Sequence, residues 1–216
     1  QFSRLKGGGL GQYLENRSAQ VLLISDVPDD DPGVIGSGML LPSENIKLQV
    51  IASLDDAMRA AALAAEQLGY VVNTETQRLA GDAAALGRDF ARALLQAEPG
   101  IYIRGGETTV KLPEQAGTGG RNQHLALAAA IEIADHENIL VLAVGTDGTD
   151  GPTVDAGALV DGQTVYRGEL GGFDVMDTLK CADAGTFLAA SGDLVQTGPT
   201  GTNVMDLLIG IKWADG

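Results

Sequence analysis

One cysteine, two histidines and 4% aromatic residues are what this chain of 216 residues has little of. A lone Cys181 excludes an internal disulfide and fits a reducing, cytoplasmic compartment. Ala182-Asp183-Ala184 follows it, with no histidine nearby, so a structural thiol is expected. His124 and His136 fall on one expected helix or its end, and neither has a Cys or His at metal-ligand spacing. Zinc chemistry and nucleophilic triads are therefore disfavoured. Cations are short as well: 14 Lys and Arg against 29 Asp and Glu leave a net charge of −15. Nucleic acid is excluded as a partner, because neutralising phosphates takes a basic face. No apolar run reaches the length of a membrane span, so no membrane is expected. The chain also lacks Gly-x-x-x-x-Gly-Lys-Ser/Thr, a Gly-x-Gly-x-x-Gly after a strand, and Gly-x-Ser-x-Gly, hence the P-loop, the dinucleotide fingerprint and the nucleophile elbow. It begins with Gln1 rather than Met, which implies that sequence has been lost ahead of it.

What is present is glycine, 30 residues of it, and a core of Ala, Val, Leu and Ile. Apolar continuity predicts strands over 20–25, 48–52, 70–73, 101–103, 139–144 and 207–211. Helices are predicted over 54–68, with Ser53 as N-cap and Gly69 as stop, and over 80–97, stopping near Pro99. Residues 166–190 read as mostly helical. Strands alternating with helices predict an α/β fold, a mixed, largely parallel sheet with flanking helices.

The chain is organised around Gly105-Gly106-Glu107-Thr108-Thr109-Val110 and Gly119-Gly120-Arg121-Asn122-Gln123. They read as strand, glycine turn, strand, glycine loop, helix. Free N–H groups and the positive dipole end of the helix after Gly119-Gly120 suit an anion, and Arg121 adds a fork of donors for phosphate or carboxylate. A solvated turn opening a surface helix is the alternative. Two acidic loops follow buried strands, where open α/β sheets place ligands. They are Ser25-Asp26-Val27-Pro28-Asp29-Asp30-Asp31 and Gly145-Thr146-Asp147-Gly148-Thr149-Asp150-Gly151. Either is a solvated turn or a site: Asp26 for Mg²⁺, Asp147 or Asp150 for Mg²⁺ or a sugar-acid hydroxyl. Gly198-Pro199-Thr200-Gly201-Thr202-Asn203 offers further backbone donors and small hydroxyls.

These loops, with Lys6-Gly7-Gly8, stand in the order and approximate spacing of glycerate 2-kinases of the MOFRL type, which the chain resembles. Met39-Leu40-Leu41 departs from the family, which usually has Pro-Thr after the equivalent of Ser37-Gly38. The resemblance implies phosphorylation of D-glycerate to 2-phosphoglycerate with ATP and Mg²⁺. It implies that residues 1–45 are the remnant of an N-terminal Rossmann-like domain and 46–216 the C-terminal MOFRL-type domain. On this reading Arg121, Lys6 and Asp147 are catalytic, and Asp26 and Asp147 hold the metal. Substrate or phosphate falls to Gly105, Gly106, Glu107, Thr108, Gly119, Gly120, Asn122, Asp150, Thr200 and Asn203. The expected partners are D-glycerate and a nucleotide, with a second copy or the missing N-terminal half completing the molecule. The alternatives are a non-catalytic fragment that needs that half, and a hydroxypyruvate reductase, for which the dinucleotide motif is missing.

Overall fold

The computed structural model describes residues 3–15 and 17–214. Two parallel strands, β1 (Ala19–Ile24) and β2 (Ile46–Ala52), form a small sheet of their own. Its sides alternate between half-buried and exposed, so the expected buried strand at 20–25 has one open face, with Leu22 and Ile24 exposed.

The larger sheet holds β3 (Val72–Thr74), β4 (Leu79–Asp82), β5 (Gly100–Thr109), β6 (Ile139–Gly145), β7 (Gly157–Asp161), β8 (Leu194–Val195) and β9 (Asp206–Lys212). Its order is β3-β5-β9-β6-β7-β8, and β4 continues the β3 edge along β5. The sheet is mixed: β3 and β4 pair parallel with β5, and every pairing from β5 through β9, β6 and β7 to β8 is antiparallel. Helix α1 (Leu54–Gln67) covers one face. Helices α2 (Ala83–Gln96), α3 (Arg121–Glu132), α4 (Thr164–Leu170), α5 (Val175–Lys180) and α6 (Ala184–Ser191) gather on the other.

The residue alternation of β9 explains how one sheet serves two cores. Leu208 points into the large cluster with Leu94, Leu125 and Phe187, while Leu207, Ile209 and Ile211 pack toward Leu54, Met58 and Ile103. Helix α3 is almost wholly buried from Asn122 to Ala130, because its alanines let α2 and the sheet approach closely. One helix boundary differs from the sequence pattern. Residues 79–82 are strand, so α2 starts only at Ala83, where Asp82 accepts a hydrogen bond from Ala85 N at 2.8 Å. At the other helix the expected N-cap stands: Ser53 opens α1 and forms a capping box with Asp56.

The central glycine pair forms no turn: β5 runs unbroken through it. A Cβ on Gly105 would lie 2.7 Å from Leu54 Cδ1 and 2.9 Å from Met58 Sδ, and one on Gly106 would strike the backbone of Leu79. Both glycines therefore make room for the protein's own α1 and β4. Gly105→Ala is expected to cost about 1–3 kcal/mol by overpacking, read as a lower denaturation midpoint with an unchanged circular dichroism spectrum. A variant as stable as the parent would show that α1 can move away.

Candidate active site

Arg121, the first residue of α3, is the hub. Its Nε and Nη2 donate to Asp206 Oδ2 and Oδ1 at 2.6 and 3.1 Å, a forked pair, and Nη1 lies 2.7 Å from Glu107 Oε1. Asp206 opens β9 and its side chain is 7% exposed, against 35% for Arg121. The Asp206 hydrogen bond raises the Arg121 pKa above its ordinary value; burial opposes this, and the charges of Asp206 and Glu107 reinforce it. The guanidinium is thus fixed and permanently charged, with part of its surface open.

Asp150 takes the place that free helix N–H groups were expected to offer an anion. Its Oδ1 accepts from Asn122 N at 3.0 Å and Asn122 Nδ2 at 3.3 Å, and its Oδ2 accepts from Gln123 N at 2.8 Å. The chain thus supplies its own carboxylate to the positive end of α3. Gly120 allows this approach, since a Cβ there would collide with Asp150. Asp150 is 2% exposed. Burial pushes its carboxyl up to about 6, against the two backbone hydrogen bonds; Asp206 adds to the rise and Arg121 opposes it.

Two cavities lie in this region, the first of them lined by Arg121. One, of about 360 Å³, lies between the end of β5, the start of α3 and the 151–152 turn, and includes Thr108, Gly119, Gly120 and Arg121 in its wall. The other, an open cleft of about 450 Å³, joins the small sheet to the large one: Ile24 and Asp26 face Asp147 and 201–203. Gly145 is packed against the Thr149 carbonyl, 2.5 Å from where its Cβ would stand. A Cβ placed on that glycine would lie 3.1 Å from Asp147 Oδ1 and 3.5 Å from Asp206 Oδ1.

The 198–203 loop is held by short polar links. Thr200 N donates to Asp147 O at 3.1 Å, Thr200 Oγ1 to Thr146 O at 2.7 Å, and Asn203 Oδ1 accepts from Met205 N at 2.9 Å. Met205 holds a left-handed φ of 71° immediately before Asp206, and Thr146 N and Oγ1 both donate to its carbonyl, at 3.1 and 2.7 Å. Strain of this kind collects at functional sites; here it sets where β9 delivers Asp206.

Of the residues singled out in the sequence, Thr108, Gly119, Gly120 and Arg121 share the first cavity, and Asp26, Asp147 and Asn203 share the cleft. Glu107 meets Arg121. Asn122 and Asp150 are turned to each other, and Gly105 and Gly106 to the packing of β5. Lys6 is exposed and lines neither cavity; its turn is tied to the 36–38 turn by Gly7 N to Ser37 O and Gly8 N to Gly38 O. Asp206 escaped sequence reasoning. It reads as the first residue of an apolar strand, and nothing local announces a partner 85 positions away.

The donor set of the cleft fits a hard cation such as Mg²⁺. Asp26 and Asp147 supply two carboxylates, which is what such a site takes, its other positions going to water and phosphate oxygens. Among the described residues no three His, Cys, Asp or Glu side chains gather to hold an ion alone, and no helix is long and apolar enough to cross a membrane.

Comparison with known proteins gives the chain its relatives. The MOFRL family matches residues 100–206, and a domain of unknown function, DUF4147, matches residues 1–68. A D-glycerate 2-kinase of Thermotoga maritima is 32% identical over 97% of this chain and 60% of its own length. A protein of Agrobacterium vitis named a putative hydroxypyruvate reductase is 32% identical over 95% of this chain and 58% of its own. The crystal structure of the glycerate kinase from Thermotoga maritima superposes with a TM-score of 0.91 at 33% identity, over 98% of this chain and 61% of that one. The chain thus spans about three-fifths of the length of these relatives.

Proposed function

Residues 100–206 of the chain belong to the MOFRL family, and from that premise we propose that the protein phosphorylates D-glycerate to 2-phosphoglycerate at the expense of ATP. The carrying observation is the guanidinium of Arg121, locked by Asp206 and Glu107 in the wall of a cavity with part of its surface open. Phosphoryl transfer needs positioning and charge neutralisation more than covalent chemistry. Arg121 would draw the transferring phosphoryl oxygens to one place and stabilise the charge that spreads over them. Asp206 acts through Arg121 by fixing its orientation. The 198–203 loop presents backbone donors at the mouth of the cleft, where a small hydroxy acid would lie. Asp26 and Asp147 would hold Mg²⁺, which neutralises phosphate charge when bound. Lys6 is retained as a second cation, to be reached from its glycine turn.

The direct test is incubation with Mg-ATP and D-glycerate, with the product isomer identified by NMR. Formation of 2-phosphoglycerate is expected. No product, either from this chain or from it together with the remaining two-fifths of a relative's length, would remove the kinase reading. Hydroxypyruvate with NADH is expected to give no absorbance change; steady oxidation would favour the reductase named for the Agrobacterium vitis relative. Asp147→Asn is expected to lower turnover and raise the Mg²⁺ concentration needed for half-maximal rate by about 10-fold or more. An unchanged Mg²⁺ dependence would free Asp147 from the metal.

A further inference from the structure

The cavity beside Arg121 carries features that phosphate binding does not use. Thr108 and His124 stand in its wall, 4% and 8% exposed. Thr108 Oγ1 and His124 Nδ1 have no hydrogen-bond partner. A buried polar atom left unpaired is costly, so two in one wall call for an occupant. The rest of the lining that matters is apolar: Val110, Leu112, Pro152 and Ala182. Leu112 is 65% exposed and Ala182 is held at a left-handed φ of 52°. Burial lowers the pKa of His124 first, and Arg88 adds to that against the pull of Asp82, so the imidazole is neutral and both donates and accepts.

This combination selects against an anion. Beyond Arg121 the lining holds no cation, and a small hydroxy acid has no apolar face to set against Leu112 and Pro152. A flat, neutral ring with polar edges matches both halves of the wall, and the volume lies in the range of small-molecule sites, about 300–1,000 Å³. We propose that this cavity takes the heteroaromatic base of the nucleotide, with Thr108 and His124 at its polar edge and the phosphates leading past Arg121 toward the cleft. The proposal rests on the kinase reading and adds to it which cavity receives which end of the nucleotide.

Because the chain has only two histidines, imidazole NMR reads the cavity directly. Adenosine, which carries no phosphate, is expected to shift the signals of His124 and leave those of His136 in place. D-Glycerate alone is expected to move neither. Thr108→Val should weaken the adenosine response about 5–10-fold, and Thr108→Ser, which keeps the hydroxyl, should restore it. Silence of His124 at saturating adenosine, or a His124 shift on adding D-glycerate instead, overturns the proposal. ATP-dependent phosphorylation measured on the same sample separates the two failures: if it persists, the base binds elsewhere and the kinase reading stands. If it is absent as well, and stays absent with the remaining two-fifths of a relative's length added, both fall.

Discussion

Arg121→Ala is expected to lower kcat/KM for D-glycerate by about 10³-fold or more, the scale set by removing a charge-stabilising donor from a phosphoryl-transfer site. The same change is expected to destabilise the fold by about 2 kcal/mol. Asp206, whose side chain is 7% exposed, would be left as a buried carboxylate without its cation. That figure is below the loss for a wholly buried pair because the guanidinium is 35% exposed. The two effects are separable. Arg121→Ala combined with Asp206→Asn removes the stranded charge, so most of the lost stability should return while turnover stays down. Arg121→Lys keeps the charge and loses the fork, and should fall between parent and alanine variant in rate. Initial rates beside urea midpoints decide the matter. Full turnover in Arg121→Ala removes the residue from the mechanism.

Asp150→Ala is expected to have the largest effect on stability, about 3–4 kcal/mol, with activity lost only as the fold is lost. It takes the acceptor from two buried backbone N–H groups at the opening of α3 and deletes the cap of the most buried helix. Asp150→Asn keeps one acceptor and should cost about half as much. The pH dependence carries its own sign. The carboxyl rises from the ordinary 3.8 to about 6 on folding, so the folded state holds the proton more tightly than the unfolded one. The stability this gives is full below about pH 4, falls as pH rises through about 6, and is constant beyond. The rise converts to about 3 kcal/mol. Measured as the stability difference between the parent and Asp150→Asn, the parent should lose ground between pH 4 and 6. A flat difference would mean that the helix N-terminus holds the carboxylate at its ordinary acidity.

Both predictions show where local sequence stops. The Gly119-Gly120-Arg121 stretch announces a helix start with a donor fork, and that is what stands there. That the anion at this helix is Asp150 is invisible locally, because the two segments are brought together only when β6 and its following turn lie beside α3. The glycine pair in β5 was legible as a place of close approach. What approaches is α1 and β4, a matter of which elements the sheet stacks and pairs.

By itself the sequence determined the alternation of helices and strands, the capping of α1, and the glycine and acidic loops that surround the site. These follow from periodicity, capping chemistry and local composition, which are local or additive. Only the tertiary structure decided strand direction, with parallel pairing confined to β1–β2 and the β3/β4 edge of β5. It alone joined Asp206 to Arg121 across 85 positions, set Asp26 opposite Asp147, and put Thr108 and His124 in one wall. Such pairings depend on chain topology. A residue's neighbours along the chain carry little information about which distant strand end the fold will place beside it.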